Sequence, residues 1–213
     1  MKRSDILTTV RALINDAAVE DDTFTQETDA ALQEFVRIAL TMLAANEGVE
    51  ADASSMTSSN TSDFHVRPDG LYYAVIALPD DFMRFVSVKL EGWPYPVSRL
   101  MPDTSALYQA QYTTSKGVGN GPQVPVAFIS EDTSRRIIAH AVKSVGGYTL
   151  RYIPQLTVKE DGYINLREKY AGALAYYTAA LYHNSVNERE ISEAELTIAR
   201  NLASRVKREE VTE

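Results

Sequence analysis

The chain contains no cysteine, which excludes a disulfide framework, a thiolate nucleophile and any Cys-ligated zinc or iron–sulfur centre. It has three histidines, His65, His140 and His183, and none lies within four positions of another or beside an acidic pair. No metal-ligand spacing is therefore present. Positive charge is also scarce: 21 Lys plus Arg against 29 Asp plus Glu leave a net charge of -8 and an isoelectric point near 5.0. A surface of that sign repels phosphate and argues against sequence-independent gripping of DNA. No run approaches the ~18 apolar residues of a membrane span. The opening MKRSDILTTV turns polar before a signal-peptide core could form, so an intracellular protein without an export signal is expected.

What the 213 residues do hold is 45% apolar and 23% charged side chains, the composition of a globular protein with a real core. At roughly 100 to 200 residues per domain this is one domain with an insertion, or two small ones. Ile6, Val10, Leu13 and Ile14 share one stripe of a first helix that Ser4 or Asp5 can cap. Asp16 to Asp22 form an acidic linker. Thr23 with Gln26 then has capping-box spacing, with Thr25 a rival. The second helix carries Leu32, Phe35, Val36, Leu40 and Leu43 on one face and should stop before Gly48. Residues 48–63 hold five serines and two threonines but only Val49 and Met56 as sizeable apolar groups. That is too little to offset ordering entropy, so a mobile loop is expected.

Residues 71–78 and 85–90 read as strands. Trp93-Pro94-Tyr95-Pro96-Val97 follows as an edge or extended arm, because proline cannot donate to a ladder, and it is a candidate contact element. Three more strands, 124–129, 136–142 and 148–153, are separated by Glu131-Asp132-Thr133-Ser134 and by Gly146-Gly147, the spacing of an antiparallel meander. Helical period returns with Leu166, Tyr170, Leu174, Tyr177 and Leu181 among small residues that admit a close neighbour. Asn187 with Glu190, or Ser192 with Glu195, can cap a last helix with the stripe Ile191, Ala194, Ile198, Leu202 and Val206, and the tail Lys207 to Glu213 should fray. The expected fold is α+β, a helical bundle of N- and C-terminal helices (1–47 and 161–213) with the loop 48–63 and an inserted antiparallel β domain, 64–160. No internal repeat is visible.

The motif search for chemistry returns little. Gly117-Val118-Gly119-Asn120-Gly121 is followed by Pro122 and Pro125 rather than by a helix N-terminus, so it reads as a loop tip and not a nucleotide cradle. Gly-x-Ser-x-Gly is absent. The paired acids, Asp80-Asp81 and Glu131-Asp132 among them, fall in turns, linkers or the tail, where solvated carboxylates are the common case. His140 in a strand and His183 at a helix end read as structural histidines. No cofactor and no catalytic residue is expected. Twelve tyrosines against one tryptophan and six phenylalanines are the compositional oddity. Tyrosine suits wet interfaces, but Tyr170 and Tyr177 serve equally as helix core and Tyr72 and Tyr152 as a sheet face. Tyr176 and Tyr182 project off the stripe and are the better interface candidates.

Three passages carry a family resemblance. They are the opening helices with Asp5-Ile6-Leu7 and Thr25-Gln26-Glu27-Thr28 to Leu32; the step Leu78-Pro79-Asp80-Asp81-Phe82-Met83-Arg84-Phe85-Val86-Ser87-Val88; and Lys169-Tyr170-Ala171-Gly172-Ala173-Leu174-Ala175-Tyr176-Tyr177 through Asn187-Glu188 into Ala199-Arg200. In these the chain resembles the head-to-tail connector, or tail adaptor, proteins of tailed bacteriophages. The resemblance implies a structural virion protein of the neck, assembled in the host cytoplasm as a homo-oligomeric ring, a dodecamer by resemblance. Such a ring docks beneath the portal protein and above other tail proteins, with genomic DNA passing through the lumen without sequence-specific binding and no membrane involved. Leu78, Pro79, Asp81 and Phe82, with Trp93, Tyr95, Tyr176 and Tyr182, are then the expected oligomer or partner contacts. Alternatives are another phage tail ring or a head-completion stopper, and further off a hydrolase with dispersed acids.

Overall fold

The computed structural model describes residues 1–14, 22–67, 69–111, 123–130 and 135–212. The acidic linker 16–21, the side chains of Thr23, Thr25 and Gln26, the glycine loop 117–121 and the turn 131–134 lie outside the described residues. The fold is mixed α+β, with helices at both ends of the chain flanking a central β region. It divides into two compact units, a helical one from residues 1–52 and 155–213 and a sheet one from 53–154.

In the helical unit, α1 (Arg3–Leu13) buries Ile6 and Val10. Its N-cap is Lys2, with no side-chain cap bond, so Ser4 and Asp5 lie inside the helix rather than capping it. The chain start is pinned instead by backbone. The Met1 amine donates to the Ile164 carbonyl at 3.0 Å, and the Ile164 N–H donates back to the Met1 carbonyl at 2.8 Å. Helix α2 (Asp22–Glu47) buries Leu32, Val36, Leu40 and Leu43 and ends at Gly48, whose φ of +58° is cheap only without a Cβ. Helix α4 (Ala171–Ser185) packs against α1, α2 and α5 (Arg189–Thr212) and is buried on nearly every side, as a helix apolar all round must be.

The turn between α4 and α5 corrects the capping expectation. Asn187 has φ +67°; its N–H donates to the Asn184 carbonyl and that of Glu188 to the His183 carbonyl. These are the paired bonds of a Schellman ending, so Asn187 terminates α4 instead of starting α5. The stripe of α5 is also one position off the expected one. Ser192, Glu195, Ala199 and Ala203 are buried, while Ile191 and Ile198 are 48% and 40% exposed, because the small and hydrogen-bonded residues fit against the alanines of α4. The tail does not fray: α5 continues to Thr212.

In the sheet unit, residues 48–63 are not one mobile loop. Ser54–Ser58 form β1, and Thr61–Asp63 a short 3-10 turn. After these come β2 (Phe64–Val66), β3 (Tyr72–Ala77), β4 (Phe82–Leu90), β5 (Met101–Pro102), a one-turn α3 (Ala106–Ala110), β6 (Val126–Ile129), β7 (Arg136–Val142) and β8 (Tyr148–Pro154). They make two sheets, ordered β1-β8-β4 and β2-β3-β7-β6-β5, antiparallel except for the pair β5 and β6. The expected meander stops at β7, and β8 crosses to the other sheet. Gly147 redirects it there, its N–H donating to Glu91 Oε2 at 2.9 Å and its carbonyl accepting from the Glu91 N–H at 2.7 Å. One core, including Ile76, Val88, Leu90, Ile137 and Leu150, draws on both sheets.

Candidate interaction surfaces

The step from β3 to β4 is a tight turn. The Phe82 N–H donates to the Pro79 carbonyl at 3.0 Å, and the Leu78 N–H to the Arg135 carbonyl at 3.0 Å. Arg135 returns a bond from Nη2 to the Phe82 carbonyl at 3.2 Å. Phe82 is buried and stacks on Tyr152 with ring centroids 5.8 Å apart. The Tyr152 hydroxyl donates to Asp81 Oδ1 at 3.0 Å; burial, and then this bond to a carboxylate, push the Tyr152 phenol up. Of the expected contact residues here, Phe82 is therefore a core residue and Asp81 is engaged within its own unit. Leu78 and Pro79 are half-buried, and Asp80 is exposed.

Trp93 is also removed from the surface. It is 3% exposed, and its indole Nε1–H donates to the Ala141 carbonyl at 2.9 Å. The segment is not a free arm, since Val97 and Val88 exchange backbone bonds of 2.8 and 2.9 Å and close the loop between them. Its tip, Tyr95 between two prolines, is 49% exposed. In the helical unit Tyr176 and Tyr182 are half-buried and lie against the bundle core.

Three clusters were not read from the sequence, because each joins residues far apart in it. At the end of α5, Glu210 takes Arg167 Nη1 at 2.5 Å and Lys169 Nζ at 2.7 Å, and accepts the Tyr170 hydroxyl at 3.1 Å. Burial alone would raise the Glu210 carboxyl, but the bonds from Lys169 and Tyr170 and the nearby cations win and hold it below its ordinary value. Burial, then the Glu210 carboxylate, push the Tyr170 phenol up to about 12. Between the last turn of α4 and the second turn of α5, His183 Nδ1 lies 2.7 Å from Glu195 Oε2, both side chains being buried. On the outer face of the five-stranded sheet, His140 is buried and stacks on Tyr73 at 5.1 Å, with Phe128 and Tyr108 edge-on. Burial, and secondarily the charge of Arg67, lower its pKa to about 3, so at neutral pH this imidazole is uncharged. Arg67 is itself buried, donating to Asp69 at 2.9 Å and to Gln111 at 3.2 Å.

Among the described residues no group of three His, Asp or Glu side chains is placed to hold a metal ion, and no helix is long and apolar enough to cross a membrane. A cleft of about 450 Å³ at the ends of β1, β4 and β8 is lined by Thr57, Ser58, Lys89, Glu91 and Tyr148; its one carboxylate already accepts the Gly147 N–H. The formal charge is unevenly shared. The helical unit carries twelve Lys plus Arg against twenty-one Asp plus Glu, and the sheet unit nine against eight. No family model and no curated protein matches the chain.

Proposed function

We propose that the chain is a structural subunit of a phage neck, an adaptor that assembles as a ring beneath the portal and joins the head to the tail around the DNA channel. The observation that carries this reading is the architecture. Helices from the two ends of the sequence share a single core, and a β unit is inserted between them in the sequence, the arrangement that the resemblance to tail adaptors implies. The charge distribution supports it. The excess of acid belongs to the helical unit, and a wall of that sign lets a polyanion pass without a counterion-releasing grip. Exposed apolar residues of the helical unit, Ile38, Tyr163, Val186, Ile191 and Ile198 among them, are contact area of the kind a ring neighbour or portal could cover. Tyr95 plays that part in the sheet unit.

Assembly is templated: the purified chain is a monomer or in weak equilibrium, and the portal organises the ring. Light scattering at rising concentration reads this directly, and a stable ring at micromolar concentration without portal would refute the template. Cross-linking to purified portal tests the reading itself, with cross-links expected from the exposed α5 face; cross-links only to a different neck or tail component would assign the chain to another layer.

A further inference from the structure

Strand β1 is an open edge. In the sheet order β1-β8-β4 it pairs with β8 alone among the described residues, so alternate backbone N–H and C=O groups along it point away from the sheet. Proteins blunt such edges with charge, proline or a bulge. Ser54–Ser58 has none of these: its residues are Ser, Ser, Met, Thr and Ser, and its register with β8 runs without a shift. An apolar row also runs off this edge. Val88 and Leu150, paired across β4 and β8, are both 0% exposed, while Met56, next in the row, is only half-buried.

The strand is self-complementary about Met56. Laid antiparallel on a second copy of itself, it sets Met56 against Met56, Ser55 against Thr57 and Ser54 against Ser58, each hetero pair occurring twice. Hydroxyl pairs of this kind are favourable across strands, and no like charges meet. The central methionines continue the Val88, Leu150, Met56 row into the same row of the other copy. We infer that Ser54–Ser58 is a self-pairing edge, through which two copies of this chain join β1 to β1 in a two-fold contact and build one six-stranded sheet. The occupant is a second copy, because an antiparallel copy sets hydroxyl against hydroxyl on both sides of a methionine pair and brings no charge into the contact. Five residues of strand bury far less than the roughly 1,200 Å² of a stable interface, so the dimer is weak and concentration-dependent. The inference does not rest on the ring.

The test uses the full chain in sedimentation equilibrium, with amide hydrogen exchange read at residues 54–58. Ser55 and Thr57 are exposed and Ser55 stands beside Arg151 of β8, so a glutamate at 55 suits the monomer. The variant S55E/T57E sets glutamate against glutamate twice across the contact, whereas S55E/T57K sets glutamate against lysine twice. The wild type should dimerise with rising concentration and slow the exchange of β1. The first variant should weaken the dimer about tenfold or more, and the second should restore it. Exchange at low concentration shows whether β1 still pairs β8 in each variant; should S55E/T57E loosen it, S55E/T57K carries the test, since its charges match only in the register centred on Met56. A wild type that stays monomeric into the millimolar range overturns the inference. So does association indifferent to both variants, failure of the charge-matched variant to dimerise, or protection of β1 that arises only when another protein is added.

Discussion

Single residues decide how much of the expected contact surface is available. Trp93 sits between Gly92 and Pro94, and the prolines at 94 and 96 make the segment look like an arm. Nothing local in that string shows that the indole N–H has a carbonyl waiting 48 positions later, at Ala141. Trp93→Phe should keep most of the ring's packing and orphan that carbonyl, costing about 1 to 3 kcal/mol in denaturant unfolding, with assembly on a portal unchanged. His140 belongs to the same lesson. Its placement in a strand was legible from the run 136–142 between two turn segments, but its layer of Tyr73, Phe128 and Tyr108 comes from three other elements. Its folded pKa lies below the ordinary 6.5, at about 3, so the unfolded chain binds a proton that the folded chain refuses. The stability it contributes is complete above pH 6.5 and lost as the pH falls toward 3. Glu210, also held low, adds a loss below its ordinary 4.5. His140→Gln should flatten the limb between pH 6.5 and 4.5, which in the wild type slopes by up to about 1.4 kcal/mol per pH unit. Urea unfolding at a series of pH values measures it, and an unchanged slope would contradict the burial argument.

At the scale of elements, long amphipathic segments were legible and polar ones were not. Strands β3, β4, β6, β7 and β8 follow from runs of apolar and β-branched residues, and α2 and α4 from Leu and Tyr at helical spacing. Strand β1 was not legible, because Ser54–Ser58 earns its place through backbone bonds to β8 and offers only Met56 to an apolar pattern. The slip along α5 has the opposite cause. Hydrophobicity assigned the inner face to Ile191 and Ile198, but a helix lying on the alanines of α4 buries small residues and tied polar ones, such as Ser192, whose hydroxyl donates to the Ala180 carbonyl at 2.8 Å. Asn187 was misread because asparagine serves both ends of a helix: it caps N-termini with its side chain and closes C-termini in the left-handed conformation. The two roles separate on substitution. Asn187→Gly should be neutral or slightly stabilising, whereas Asn187→Val, forced to φ +67°, should cost about 1 to 2 kcal/mol in thermal unfolding. Asn187→Ser separates the roles: a true N-cap would accept serine without loss, whereas the left-handed position should penalise it by about 1 kcal/mol.

At the scale of the molecule, the α+β order and the presence of a β region between terminal helices were legible because each long segment keeps one period. The boundary was less so: the sheet unit begins at Ala53 and ends at Pro154, since the segment from Gln155 onward returns to the helical core through Leu156 and Val158. The division also localises the charge. The net -8 of the whole chain resides in the helical unit, so the full chain should show no duplex DNA binding in a gel shift even at about 50 mM salt, where electrostatic contacts are strongest. Micromolar affinity there would argue for a gripping surface instead of a passive channel wall. The central claim is assembly on a portal, and electron microscopy of the purified chain mixed with its portal tests it most directly. The account predicts a ring of this protein stacked coaxially beneath the portal, while a chain that remains monomeric and never occupies the portal would contradict it.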